Sequence, residues 1–272
     1  MEALIKILKE FDENRENRVK CENWSSKTIE EKHKAIADWF RPCAESILCN
    51  GYFLINGEYI IDLGAIELYY HEEEEGGIKD YIMYHTNAHP SKSKVYKLNN
   101  DSFPYFKFGS FNLHQSGVDV TFENEEKKYR ASFLIRSYRV LKTENGLYPE
   151  NDDTKYDTHS THIFDDMFYS GYGNTEIVWI PTDKKVGDID ELCPRINVAK
   201  YRINKNGKFE KHEIKSDDDE YNVAVEESKK DDSFSHYFKS SSKIYKRDMR
   251  KWQFKLKNIE EEKLPSTISN ND

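Results

Sequence analysis

A chain of 272 residues is long enough to bury a complete core, and its apolar runs are all far too short to span a membrane. The formal net charge of −9 argues against nucleic-acid binding through a general basic field, although a local basic patch stays possible. The N-terminal residues lack a secretory pattern and the four cysteines show no CxxC spacing, so we expect a cytoplasmic protein with reduced thiols.

Two helices are predicted near the N-terminus. Apolar residues recur at helical spacing over residues 2–11. A second helix is expected to begin near Ser26, which can cap it, with Glu30 in its first turn. We expect Pro42 to break or kink this helix, and Ala44–Cys49 to add one or two further turns before the first strand.

The next segment predicts a series of strands. Tyr52–Ile61 is expected to form a hairpin around Asn56-Gly57, a pair typical of a type I′ turn. The charged run Glu72–Asp80 is expected to be a solvated loop. A second turn is expected at Ser116-Gly117. The further predicted strands are Ile66–Tyr70, Phe106–Phe111, Val118–Phe122 and Tyr129–Val140.

The C-terminal half gives weaker signals. Residues 145–160 are polar and loop-like, and strands are expected at Ile177–Ile180, Asn197–Ile203 and Trp252–Leu256. A polar, serine-rich insertion is expected near residues 215–242 and a disordered tail over 266–272. Together the elements predict a single α+β domain over residues 1–265, with a curved, mostly antiparallel β-sheet flanked by the N-terminal helices.

Two charged residues interrupt otherwise apolar strands. Glu67 lies within Ile66–Tyr70 and is followed by two tyrosines, and Arg136 lies within Phe133–Tyr138. A carboxylate among aromatic rings costs folding free energy unless it is paired or used in chemistry, so Glu67 is a candidate general base and Arg136 a candidate partner. The alternative is an ordinary strand whose charged side chains face water.

A histidine pair offers a different kind of site. His159 and His162, with Asp165 and Asp166, have spacing that could suit metal ligands. No third histidine or cysteine falls at a recognisable offset, and histidine and aspartate often cluster in loops, so a solvated segment is the favoured interpretation and we assign no metal. A hydrolase with a metal at His159, His162 and Asp165 is therefore kept as a third functional hypothesis.

Several segments together resemble the alkyladenine (methylpurine) DNA glycosylase family, over about residues 44–140. Ala44–Gly51 is similar to the family's helix end before its first hairpin, which here follows at Asn56-Gly57. Ile66–Tyr69 occupies the place of the family's Val-Glu-x-Glu-Ala-Tyr strand. Asp80–His85 resembles the segment that carries the pocket histidine.

The second half of the resemblance begins with Gly109–Phe122, which is similar to the strand pair that bears the family's base-displacing hairpin. Ala131–Arg136 resembles the family's Val-Leu-Ile-Arg-Ala strand. This chain has Ser116 where the family has an aromatic wedge, Leu113 where it has a pocket tyrosine, and Glu123 near the place of its pocket asparagine.

The resemblance implies a monofunctional glycosylase that flips a damaged purine out of double-stranded DNA and replaces it with water at C1′. Glu67 would be the general base and Arg136 its neighbour, and neither cofactor nor metal would be needed. The implied pocket and hairpin residues are Tyr69, His85, Phe111, Leu113, Ser116 and Gly117. The alternative from another class is a non-catalytic protein of the same fold that binds a nucleotide or another flat ligand in an aromatic pocket.

Overall fold

The computed structural model describes most of the first 190 residues and a short C-terminal stretch. The described residues are 1–21, 23–75, 77–78, 80, 83, 103–114, 116–144, 146–149, 153–168, 175–183, 185, 187–190, 192 and 251–261, with the backbone of four short strands between 201 and 246. Most of the insertion predicted near 215–242 and the tail predicted over 266–272 lie outside these residues.

The two N-terminal helices are α1 (Glu2–Cys21) and α2 (Ile29–Cys49). The cap of α2 is Thr28 and not Ser26, because Thr28 and Glu31 form a reciprocal capping box in which each side chain bonds the other's backbone amide, at 3.2 and 2.7 Å. Pro42 lies inside α2 without ending it. The expected break there is wrong, because α2 is held against the sheet by buried residues on both sides of the proline.

The described strands form a seven-stranded antiparallel sheet in the order β3-β4-β5-β2-β1-β6, with β11 pairing the second half of β2. The strands are β1 (Gly51–Ile55), β2 (Tyr59–Glu72), β3 (Ser110–His114), β4 (Gly117–Thr121), β5 (Tyr129–Lys142), β6 (Ile177–Pro181) and β11 (Gln253–Lys255). The predicted α+β class, with a curled antiparallel sheet and N-terminal helices, is confirmed.

The hairpin at Asn56-Gly57 forms as predicted, with φ of 51° and 72° at its two central residues, as a type I′ turn requires. The strand predicted at Phe106–Phe111 is partly wrong, because β3 begins only at Ser110 after a turn in which the Ser110 amide donates to the Lys107 carbonyl. The expected strand at Ile66–Tyr70 is the second half of one long strand, β2.

The two helices pack on one face of the sheet and build the core there. Phe11 of α1 contacts the rings of Phe40, Tyr70, Phe122 and Tyr129 at centroid distances of 5.4–6.1 Å. These aromatic contacts span both helices and three strand segments, so they fix which side of each strand faces the core. The side chains on the opposite side of β2, β4 and β5 therefore face away from the two helices.

Four further strands pair antiparallel in the order β8-β7-β10-β9. They are β7 (Tyr201–Ile203), β8 (Phe209–Lys211), β9 (Tyr237–Ser240) and β10 (Lys243–Lys246). The strand predicted over Asn197–Ile203 thus has its described part at β7, and β9 falls inside the expected polar insertion. None of the helices in the described parts of the chain combines the length and apolar character that crossing a membrane requires.

Candidate functional site: a buried polar face of the sheet

The face of the sheet turned away from the helices is polar and buried. Residues directly opposite each other in an antiparallel ladder share a face, and one such row runs from Asp119 through Leu134 and Glu67 to Gln253. We call the buried polar residues of this side the polar face: Glu67, His71, Asp119, Thr121, Glu123, Arg130, Ser132, Arg136 and Gln253. Burial of so many polar groups is unfavourable unless they are paired, so the face is either a network or a site.

Glu67 lies near the centre of the polar face and is fully buried. The Nε atom of Arg136 is 3.5 Å from Glu67 Oε1, and the Tyr69 hydroxyl donates a hydrogen bond of 3.2 Å to Glu67 Oε2. The sequence-predicted pair of acid and base therefore meets in the structure, with the predicted tyrosine as a third member. A carboxylate held by one cation and one hydroxyl is oriented by its partners and shielded from bulk water.

A loop covers the polar face beside Arg136. Arg136 Nη1 donates to the Ser160 hydroxyl at 3.2 Å, and this hydroxyl donates to the Ser116 carbonyl oxygen at 2.8 Å. Gly117 follows with φ of +133°, and a Cβ atom there would lie 2.4 Å from the Ser160 carbonyl oxygen. The Ser116-Gly117 turn, predicted as the base-displacing hairpin, is therefore packed against the Ser160 backbone.

A second acid–base pair lies on the same side of the sheet, toward the turn. His114 Nε2 is 3.2 Å from Asp119 Oδ2, to which the Ser132 hydroxyl donates at 3.4 Å. Burial lowers the pKa of His114, but the hydrogen bond and negative charge of Asp119 outweigh it, and the pKa lies above its ordinary value. The imidazole is thus biased toward its protonated form.

Arg130 holds the other end of the polar face together. Its guanidinium donates to Glu73 at 2.6 Å, to Glu123 at 3.2 Å, and to the carbonyl oxygens of Phe103 and Pro104. Burial, opposed by the charge of Arg130, raises the pKa of Glu123 to about 7, and the nearby Glu73 adds to the rise. The backbone over residues 103–106 therefore covers this end of the face.

The run from Glu72 was predicted as a solvated loop, and its first two glutamates contradict this. Glu72 is buried, accepting hydrogen bonds from Tyr70 at 2.6 Å and Arg15 at 2.8 Å. Glu73 is partly buried beside Arg130, whereas Glu74 and Glu75 are exposed as expected. Arginines from α1 and β5 neutralise these two carboxylates, so Glu72 can be buried and Glu73 partly buried.

Not all of the predicted site residues come together. Phe111 and Leu113 alternate with Asn112, which pairs with Asp119, so both lie on the opposite side of the sheet from Glu67. Phe111 packs against Phe53 at a centroid distance of 5.6 Å, and Leu113 is 45% exposed. The structure therefore does not bring Phe111 or Leu113 to Glu67. His85 lies outside the described residues.

The histidine pair is brought together, but with a different acid. Asp157, and not Asp165, contacts both rings: His159 Nδ1 is 2.9 Å from Asp157 Oδ1, and His162 Nδ1 is 2.8 Å from Asp157 Oδ2. Asp166 instead accepts a hydrogen bond of 2.6 Å from the Tyr138 hydroxyl. The spacing of His159 and His162 was a usable signal that the two rings lie together. It did not indicate Asp157, because this acid precedes both histidines in the chain.

The roles of Asp119, Arg130, Ser132 and Ser160 were not predicted from the sequence. The alternation of apolar and polar residues in β4 and β5 was a signal for which side chains share a face. It contained no sign that this face is buried, because an exposed sheet face alternates in the same way. Ser160 had no local signal, since it reaches the site from a loop.

Comparison with models of known protein families, with curated proteins and with solved structures finds no match to this chain.

Proposed function

We propose that this protein is a DNA glycosylase-like hydrolase that excises alkylated or deaminated purines from duplex DNA, with Glu67 as the general base. The observation that carries the proposal is the fully buried Glu67 carboxylate, which lies 3.5 Å from Arg136 and accepts a hydrogen bond from Tyr69. A general base needs a carboxylate that is ionised, oriented and placed where few waters compete.

In the proposed reaction, Glu67 accepts a proton from a water molecule whose oxygen attacks C1′ of the flipped nucleotide. The bond between C1′ and the purine nitrogen breaks as the new C–O bond forms. An alkylated, cationic purine leaves as the neutral base, whereas a neutral purine such as hypoxanthine leaves as an anion that takes up the proton Glu67 received from water. Arg136 orients the Glu67 carboxylate before the attack and offsets its negative charge in the buried site. The Tyr69 hydroxyl stabilises the same carboxylate by donating a hydrogen bond to its other oxygen, Oε2.

The test is release of free base from duplex oligonucleotides that contain 3-methyladenine or hypoxanthine, under single-turnover conditions. We expect Glu67→Gln to lower the release rate by about 10²- to 10⁴-fold, because it removes the proton acceptor and keeps the shape. Glu75→Gln changes an exposed glutamate of the following loop and serves as the matched control. Equal rates for wild type and Glu67→Gln would refute Glu67 as the base.

One observation favours a second function. The chain has a formal net charge of −9, and such a balance repels phosphate backbones. The second candidate is therefore a non-catalytic protein that binds a nucleobase-like ligand through the same face. Saturable binding of free purines, without base release from any duplex, would support this candidate over the first.

A further inference from the structure

A cluster of three ligating side chains lies next to the polar face, on the loop that leads into α3 (Ile163–Phe168). Asp157, His159 and His162 each offer one ligand atom, and these atoms all lie within 4.8 Å of one another. The two imidazole rings stack with centroids 4.7 Å apart and planes inclined by 22°. Both rings are bonded through Nδ1 to the same carboxylate.

We propose that Asp157, His159 and His162 bind one divalent first-row transition-metal ion, such as Zn²⁺. Two donor atoms on bonds of about 2.1 Å to one ion lie about 3.0 Å apart at a right angle, and about 3.4 Å apart at the tetrahedral angle that zinc prefers. The observed N–O distances of 2.9 Å for His159 and 2.8 Å for His162 are close to the right-angle value, and an outward shift of about half an ångström gives the tetrahedral one. The ion binds the Nδ1 atom of each ring in place of its hydrogen bond to Asp157, and each neutral imidazole then carries its proton on Nε2.

The donor set selects the class of metal. Two neutral imidazoles and one carboxylate suit zinc, iron, cobalt, nickel or copper, whereas magnesium and calcium prefer oxygen ligands. The histidine side chains are 40% and 58% exposed, so water or another small ligand can complete the coordination from the solvent side. Three protein ligands with open positions define an accessible site.

The backbone presents these donors from a short segment fixed at both ends. Asp157 pairs with Tyr138 of β5 through two backbone hydrogen bonds of 2.7 and 3.0 Å. The His162 amide donates to the His159 carbonyl oxygen at 3.0 Å, which closes the turn before α3. Little chain entropy is therefore lost when the three donors close on an ion.

The cluster is also connected to the polar face. Ser160 lies between the two histidines in the chain, accepts a hydrogen bond from Arg136 and donates one to Ser116. An ion bound at Asp157, His159 and His162 therefore restrains the segment that contacts Arg136. This inference stands on the ligand geometry alone and does not depend on the proposed glycosylase function.

The experiment uses the full chain, stripped of metal by a chelator and titrated with Zn²⁺ by calorimetry and with Co²⁺ by visible absorption. We expect one ion per chain, and a loss of affinity of at least about 100-fold in His159→Ala, His162→Ala and Asp157→Asn. His162→Cys replaces one metal ligand by another and should retain zinc binding. Asp165→Asn is the matched control, because Asp165 lies in the same segment outside the three-donor cluster.

Two results would overturn the metal site. One is the absence of stoichiometric binding by the wild-type chain to either ion. The other is undiminished binding by the double variant with alanine at His159 and His162, which would place the ion elsewhere. Circular dichroism of each variant shows whether it is folded, and retained zinc binding by His162→Cys separates loss of a ligand from loss of the fold.

Discussion

The Arg136 guanidinium and the Glu67 carboxylate approach to 3.5 Å across the two longest strands of the sheet, although the two residues are not register partners. Glu67 pairs with Leu134, and Arg136 lies two positions further along β5 on the same side. The diagonal contact allows Arg136 to reach both Glu67 and the Ser160 hydroxyl. A single arginine therefore joins the central carboxylate of the polar face to the loop that covers it.

We expect a double-mutant cycle between Glu67 and Arg136 to show strong coupling. Glu67→Gln and Arg136→Gln each leave a buried charge without its opposite charge, whereas the double variant leaves two neutral amides. The coupling in the free energy of unfolding should be about 1–3 kcal/mol, as for contacting residues in one network. Urea denaturation of the four proteins measures it. Additive effects would mean that the pair contributes no interaction energy.

A second buried cluster gives a prediction about stability alone. Asp62 is fully buried and accepts hydrogen bonds from Arg139 at 2.8 Å, Tyr148 at 2.9 Å and Tyr156 at 2.7 Å, and it also pairs with the buried Lys185. Asp62→Asn removes the negative charge and leaves two cations close together. We expect the free energy of unfolding to fall by about 3–5 kcal/mol, measured by chemical denaturation.

The matched control for Asp62 is an exposed pair at the end of the same strands. Glu58 lies 3.2 Å from Lys142, and both side chains are at least half exposed. Glu58→Gln should change the free energy of unfolding by less than about 1 kcal/mol, because solvent screens the pair. A comparable loss in the two variants would contradict the view that burial makes the Asp62 cluster important.

The parts of the fold that the sequence predicts are those set by local chemistry. Asn56-Gly57 defines its hairpin because few residue pairs adopt two left-handed conformations in succession. The capping box of Thr28 and Glu31 is equally local and has a Thr-x-x-Glu signature, so the prediction of Ser26 as the cap was wrong. The predicted break at Pro42 is wrong, because the tertiary packing that retains a helix through a proline has no local signature.

The polar face was predictable only in part. The interruption of apolar strands identified Glu67 and Arg136, and their diagonal contact follows from the antiparallel pairing of β2 and β5. The covering segments are distant in sequence: residues 103–106 bind Arg130 and Ser160 binds Arg136. No periodicity within a strand indicates which remote loop will cover it. Burial of the polar face could therefore be recognised only in the structure.

Gly117 is expected to be intolerant of a side chain. Gly117→Ala would place a Cβ atom 2.4 Å from the Ser160 carbonyl oxygen at a φ of +133°, so both a backbone clash and backbone strain oppose it. We expect the free energy of unfolding to fall by at least about 2 kcal/mol. Gly146 has φ of +76° with no atom within 4 Å of such a Cβ, so Gly146→Ala should cost only about 1 kcal/mol. Thermal unfolding compares the two, and equal losses would argue against the packing of Ser160 on the turn.

Glu123 should give the protein a stability that falls as the pH rises toward neutrality. Its pKa is raised from 4.5 to about 7, mainly by burial, so the folded state retains a proton that the unfolded chain has already lost. The contribution of Glu123 to the free energy of unfolding is therefore greatest below about pH 4.5. It decreases by about 3 kcal/mol in total as the pH rises to about 7. Above pH 7 the carboxyl is ionised in both states and its contribution is constant.

Glu123→Gln isolates this effect because the amide oxygen can still accept hydrogen bonds from the Phe106 amide and from Arg130, which bond Glu123 at 2.7 and 3.2 Å in the wild type. The wild type should lose stability relative to the variant between pH 5 and pH 7, and the difference should then level off. Groups with lowered pKa, such as Glu73 at about 2, lose their stabilising contribution only at more acidic pH and do not obscure this window. Urea denaturation at half-unit pH steps measures the difference in the free energy of unfolding. Parallel curves for the two proteins from pH 5 to pH 8 would contradict the prediction. They would show that Glu123 is ionised throughout, with Arg130 neutralising both of its carboxylate partners.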